Sequence, residues 1–112
     1  MNDKMIMDNE KKIQLLREKF LNAYWPKCDE IADEILSIDN IIAKEIFVEA
    51  LKIGKRHHIR TAAIRALVKF NDESLVKYIE PLLNDSAYDA RIEAKKAIKI
   101  LTGKVVLTSK GE

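Results

Sequence analysis

The sequence predicts an all-α fold, a right-handed α-solenoid of about three stacked two-helix repeats, and three observations favour this prediction. Glycine and proline are scarce, at three and two of 112 residues, whereas the helix-favouring residues Ala, Ile, Leu, Lys and Glu are abundant. Apolar residues recur at spacings of three and four, as on the buried face of a helix. The chain also resembles itself at a period of 31 residues, which is typical of stacked helical repeats.

The apolar pattern predicts one helical domain, residues 8–103, between two flexible ends. Residues 1–7 and 104–112 carry no helical stripe and are expected to be a flexible N-terminus and a flexible tail. Trp25-Pro26 separates the first two helices, because the residue before a proline avoids the α region. The six predicted helices span residues 8–24, 27–37, 40–53, 57–70, 73–84 and 87–101.

Residues at the breaks predict how the helices begin and end. The Asp-Asn pair at residues 39–40 can cap the third helix, and Gly54 should end it as a C-terminal cap. Pro81 should kink the last turn of the fifth helix, because proline has no backbone N–H to donate. Ser86 and Asp89 resemble a capping box at the start of the sixth helix.

A shift of 31 residues places the second helix of each predicted pair on the next one. Small residues then recur at equivalent positions, where alanine allows neighbouring helices to approach closely. The aligned positions are Cys28, Ile59 and Ala90; Ala32, Ala63 and Ala94; Ile35, Ala66 and Ala97; and Leu36, Leu67 and Ile98. Because one helix pair cannot cover its own apolar face, stacking of about three pairs is needed to bury a core.

Two segments, residues 59–67 (IRTAAIRAL) and 82–94 (LLNDSAYDARIEA), resemble the HEAT-repeat family. The resemblance is to the short bacterial HEAT-like repeats named after phycobilisome lyases. It covers residues 41–101 well and residues 8–40 loosely. The family is mostly a binding scaffold, so the resemblance implies a fold and a scaffold role rather than a particular activity.

The resemblance also implies a structural role for three charged residues. In the family, an Asp in the turn within a repeat and an Arg in the second helix help to hold neighbouring repeats together. Asp85, Arg60 and Arg91 fit these positions. Gly54 stands where the earlier Asp would be and Asp29 where the earlier Arg would be, so the implied ladder is incomplete and the first repeat is a divergent cap.

The sequence offers no visible catalytic machinery. It contains no phosphate-binding glycine loop, no Ser-His-Asp set and no metal signature, so no catalytic residue, metal or cofactor is predicted. His57 and His58 should point about 100° apart on a helix, which makes them a poor pair of metal ligands. Cys28, the single cysteine, excludes an internal disulfide and is expected to pack in the core. The chain is therefore predicted not to be an enzyme.

Charge is distributed unevenly although the net charge is only +2. Residues 28–49 contain seven acids and one base, whereas residues 52–69 contain six bases and no acid. In the repeat alignment Glu34, Arg65 and Lys96 share one outward position, so the surface of the second helices should change from acidic to basic. The candidate partner-binding residues on this basic face are Arg65, Lys69, Lys95, Lys96 and Lys99.

Three explanations of the basic face remain open at this point. The acidic second helix and the basic fourth helix can neutralise each other as neighbours, the face can bind an acidic protein, or it can bind nucleic acid. The predicted function is a non-enzymatic protein–protein interaction module, such as an adaptor, inhibitor or regulatory subunit. Nucleic-acid binding through the same face is the alternative.

Self-association and location can be predicted only in outline. An open end of a short stack can leave apolar surface bare, so the chain can also form homo-oligomers. No apolar run has the length of a signal peptide or of a membrane span, so a cytoplasmic location and no membrane partner are expected. The residues expected near the two ends are Leu15, Phe20, Tyr24, Trp25, Ile92 and Ile100.

Overall fold

Six α-helices make up most of the computed structural model, which describes the backbone of residues 3–112 and the side chains of residues 8–112. Within residues 3–112 there is no β-strand, so the all-α prediction is confirmed. Two short 3-10 segments, Glu73–Leu75 and Glu80–Asn84, flank the fifth helix. The helices are α1 (Asp3–Leu21), α2 (Lys27–Leu36), α3 (Asn40–Ile53), α4 (His57–Val68), α5 (Val76–Ile79) and α6 (Tyr88–Thr102).

The first helix lies earlier in the chain than predicted. It begins at Asp3 rather than near residue 8, because no glycine or proline interrupts the chain between Asp3 and Leu21. Residues 3–7 are therefore helical, and the part of the expected flexible N-terminus at residues 1–2 lies outside the described residues. The helix ends at Leu21, before the proline, where the Asn22 side chain donates to the Glu18 carbonyl.

The predicted fifth helix is broken into three pieces. Only Val76–Ile79 is α-helical, and Pro81 lies in the 3-10 segment that follows. Proline cannot donate the hydrogen bond that would continue the α-helix, which explains why the tighter turn begins there. The expected kink is thus present, but it affects a larger part of the element than its last turn.

The helix ends use some of the predicted caps and not others. The Asp39 carboxylate accepts from the N–H groups of Ile41 and Ile42 and caps α3. Gly103 ends α6 in the left-handed conformation, with φ of 78°. The capping box of Ser86 and Asp89 is absent from the described hydrogen bonds, because α6 starts only at Tyr88.

The helices pack in chain order as three antiparallel-type pairs with α4 at the centre. α1 packs on α2, α3 packs on α4, and the α5 segment packs on α6, while α4 also contacts both α2 and α6. Ile59, Ala63 and Leu67 of α4 are fully buried. Positions that align at 31 residues are buried alike, as Cys28, Ile59 and Ala90 illustrate. The core therefore runs through all three pairs.

Residues 104–112 form a packed segment rather than the expected flexible tail. The Ser109 N–H donates to the Leu83 carbonyl at 2.9 Å, and Thr108 is buried. The Glu112 carboxylate accepts two hydrogen bonds from Arg91, at 2.8 and 3.2 Å. These anchors are mainly polar and irregularly spaced, so a search for apolar periodicity does not detect them.

None of the described helices combines the length and the apolar character needed to cross a bilayer.

Candidate functional site

The two predicted basic residues of α4 are paired within the molecule. The Arg65 guanidinium binds both oxygens of Asp29 on α2, at 3.0 and 2.8 Å, and donates to Glu93 on α6 at 3.1 Å. Lys69 Nζ lies 2.7 Å from a carboxylate oxygen of Asp33 on α2. Acidic α2 and basic α4 therefore neutralise each other here, which was the first of the three explanations.

The three predicted lysines of α6 differ from those on α4. None of Lys95, Lys96 and Lys99 has a carboxylate within 4 Å among the side chains of residues 8–112. Lys96 and Lys99 are exposed, and Lys95 is half-buried. The uncompensated part of the predicted basic face is thus restricted to one helix.

A cleft of about 580 Å³ lies beside this basic strip. It is bounded by the turn between α1 and α2 and by the first halves of α4 and α6. Trp25 and Tyr88 line it with 67% and 59% of their surface exposed, so two aromatic rings are available to a ligand. Arg65, Lys96 and the acids Asp89 and Glu93 also line it. The cleft therefore combines flat apolar surface with charges of both signs.

Two histidines meet an aspartate at the edge of this cleft. His57 and His58 are the first residues of α4, and their ring centroids lie 3.9 Å apart. His57 Nδ1 lies 3.6 Å from an oxygen of Asp89, the second residue of α6. The expectation that adjacent histidines must diverge is wrong here. At a helix start no preceding turn blocks the side-chain rotamers, so both rings can turn to one side.

The three residues expected to connect repeats do contact each other across the helix pairs. Arg60 on α4 binds both oxygens of Asp85, at 2.7 and 2.9 Å, and Asp85 also accepts from the Ala87 N–H. Burial opposes ionisation of Asp85, but these hydrogen bonds and the charge of Arg60 outweigh it and hold the pKa of the carboxyl below its usual value. Arg91 donates to the carbonyl of Asp85 at 3.0 Å.

The contacts of Arg60 and Arg91 repeat at the 31-residue period. Arg60 donates to the carbonyl of Gly54 at 2.8 Å, as Arg91 does to Asp85 six residues before it. Each arginine then binds a carboxylate further along the chain, Asp85 for Arg60 and Glu112 for Arg91. Glu112 thus occupies the place that a turn Asp would take in a following repeat.

Gly54 replaces the family's turn Asp for a steric reason. A Cβ atom at this position would lie 2.6 Å from the carbonyl oxygen of Ala50 and 3.1 Å from side-chain atoms of Ile59 and Arg60. The backbone φ of −58° is ordinary, so the expected left-handed cap is absent. The close approach of two helices excludes a side chain here.

Cys28 is a core residue, as expected. It is 2% exposed on α2. Burial, together with the charge of neighbouring Asp29, raises the pKa of the thiol above its ordinary value. Such a thiol is protonated at neutral pH and is a weak nucleophile.

The residues expected at the open ends fall into two groups. Leu15, Tyr24 and Ile100 are exposed, as is Trp25. Phe20, by contrast, is fully buried and packs edge-on against Phe47 of α3, with ring centroids 5.4 Å apart. It belongs to the core because it continues the inward stripe of α1.

Sequence reasoning missed two features of this region. It did not connect Glu112 with Arg91, and it did not bring Asp89 to the histidines. The 31-residue period could have indicated the first, since Glu112 lies near the position that the next turn acid would occupy. The second depends on rotamers at two helix starts, which a sequence pattern does not specify.

In comparisons with known proteins, no family model, curated protein or solved structure matches this chain significantly.

Proposed function

We propose that the chain is a short HEAT-type α-solenoid that acts as a non-enzymatic protein-binding module. The order of helix packing, the matched burial at 31 residues and the repeated arginine–carbonyl contacts support a solenoid of about three repeats. A stack of this kind presents one side chain face per repeat to a partner. The module would work as an adaptor, an inhibitor or a regulatory subunit in the cytoplasm.

The binding surface we propose is the α6 face, formed by Lys95, Lys96 and Lys99 together with the adjoining cleft. The observation that carries this proposal is the contrast between these lysines and the paired cations of α4. Unpaired cations attract and orient an acidic partner, while Trp25 and Tyr88 provide surface of the aromatic type that interface anchors use. An acidic protein segment with an apolar or aromatic anchor fits this combination.

Charge reversal tests the proposal. Tagged wild-type protein is compared in pull-downs with Lys96→Glu/Lys99→Glu on α6 and with Lys11→Glu/Lys12→Glu on α1, which makes the same charge change on another exposed helix. We expect a discrete partner that survives nuclease treatment, weakens at high salt and is lost only with the α6 variant. Equal capture by both variants, or binding that does not change with salt, would contradict the proposed surface.

Binding of single-stranded nucleic acid is the second candidate function. It is favoured by one observation: Trp25 and Tyr88 are exposed in the same cleft as Lys96, and stacking platforms beside cations are typical of single-strand binders. Asp89 and Glu93 in the cleft would repel phosphates, which is why this candidate ranks second. Trp25 is the only tryptophan, so its fluorescence should be quenched by a bound oligonucleotide and unchanged by an unrelated polyanion such as heparin.

A further inference from the structure

The cluster at the edge of the cleft contains three side chains that are common metal ligands. One nitrogen from each of His57 and His58 and one oxygen from Asp89 all lie within 4.8 Å of one another. They come from two helices, since α4 begins with the histidines and Asp89 lies in the first turn of α6. The three groups thus converge from different repeats toward one point.

His57 carries a second indication of a ligand. Its Nδ1 atom is shielded from solvent and has no hydrogen-bond partner among the described residues. The nearest acceptor, the Asp89 carboxylate, lies 3.6 Å away, beyond hydrogen-bond distance. A shielded imidazole nitrogen that faces a carboxylate across such a gap is placed to share a cation with it.

The donor set indicates which cation would bind. Imidazole nitrogen with carboxylate oxygen suits Zn²⁺ and related first-row ions, with bonds of about 2.0–2.2 Å, whereas Mg²⁺ and Ca²⁺ prefer oxygen alone. The donors need to move inward to reach these bond lengths. The Asp89 side chain is 56% exposed and has room to do so.

We propose that His57, His58 and Asp89 form a binding site for a divalent ion of the zinc class. The ion would join the first turns of α4 and α6 and leave a fourth position for water or for a group from a bound partner. The nearby cations Arg65 and Lys96 oppose the ion's charge, so we expect reversible rather than permanent binding. The site does not depend on the protein-binding role proposed above.

Cobalt provides a direct test, because Co²⁺ replaces zinc and absorbs visible light when nitrogen and oxygen ligands surround it. Tag-free protein is titrated with Co²⁺, and Zn²⁺ is then added to displace it. We expect one ion per chain, with the visible bands lost on addition of Zn²⁺. Zn²⁺ should also raise the thermal unfolding temperature, since it binds the folded state.

Conservative variants identify the ligands. His58→Gln and Asp89→Asn should each weaken binding by at least about tenfold and abolish the thermal shift. Asp33→Asn, which makes the same chemical change at another exposed aspartate, should leave both unchanged. Circular dichroism establishes that each variant is folded before titration.

Three results would overturn the proposal. The first is the absence of saturable binding at millimolar Co²⁺. The second is equal weakening by Asp33→Asn and Asp89→Asn. The third is binding of one ion per two chains with a dimer in sedimentation, which would assign the histidines to a contact between copies.

Discussion

Single residues control how closely the helix pairs approach, and Gly54 is the clearest case. Gly54→Ala should destabilise the fold by about 1–3 kcal/mol, because the new methyl group overlaps the Ala50 carbonyl oxygen in a packed region. Gly103→Asn is the contrasting variant, since asparagine tolerates the left-handed conformation and no atom lies within 4 Å. Urea unfolding measures both; a neutral Gly54→Ala would show that the helices can separate at this point.

The Arg60–Asp85 pair should contribute far more to stability than ion pairs on the surface. The side chains are only 16% and 7% exposed, so Asp85→Ala leaves a mostly buried guanidinium without its partner. We expect a loss of about 3 kcal/mol in the free energy of unfolding. Glu30→Ala, which removes the exposed pair with Lys27, should cost less than about 1 kcal/mol. Similar losses for the two variants in denaturant unfolding would contradict this reasoning.

Glu112 should make stability depend on acid pH. Its hydrogen bonds with Arg91 and Thr108 lower the pKa of the carboxyl from 4.5 to about 2. The contact stabilises the fold fully above the unfolded value, and this stabilisation is lost as the pH falls from about 4.5 through about 2. The unfolding temperature of wild type should therefore fall more steeply over this range than that of Glu112→Gln. Parallel curves would indicate that the segment is not held by this carboxylate.

At the scale of elements, α2 acts as the counter-charge of α4. Asp29→Asn combined with Asp33→Asn should release Arg65 and Lys69 and delay elution from a heparin column. Stability should fall by less than about 1 kcal/mol per pair, because these pairs are exposed. The matched control is Glu10→Gln combined with Glu18→Gln on α1, which makes the same charge change away from these cations. Equal elution shifts for the two double variants would show that net charge alone determines retention.

Elements with strong apolar periodicity could be predicted from the sequence, and irregular ones could not. The α3 helix, Asn40–Ile53, has the predicted bounds because Asp39 caps it and the chain turns at Gly54. The Pro81 region departs from the prediction because 3-10 and α turns share similar apolar spacing. The segment after Gly103 departs for a different reason, since its anchors are hydrogen bonds between residues far apart in the chain.

The candidate site shows the same limit. The exposure of Lys96 and Lys99 follows from their place on the outward face of a helix, and sequence spacing predicts it. Which cations are free does not follow from spacing. Arg65 is paired because two carboxylates from other helices reach it, and only the packed arrangement reveals this.

At the scale of the whole molecule, the three helix pairs share one continuous core with α4 at its centre. α4 contacts α2 on one side and α6 on the other, so opening of either interface exposes its alanine-rich surface. The two interfaces differ in composition, because the one with α2 contains the only thiol of the chain.

Cys28 gives the molecule a built-in clock. A thiol reagent can reach its sulfur only when α2 leaves α4, so the rate of labelling measures how often that interface opens. If α2 detaches with α1 as a unit, labelling should be faster than global unfolding and should accelerate with Ala63→Gly on the α4 side. If labelling instead keeps pace with global unfolding, the chain opens as a single cooperative body.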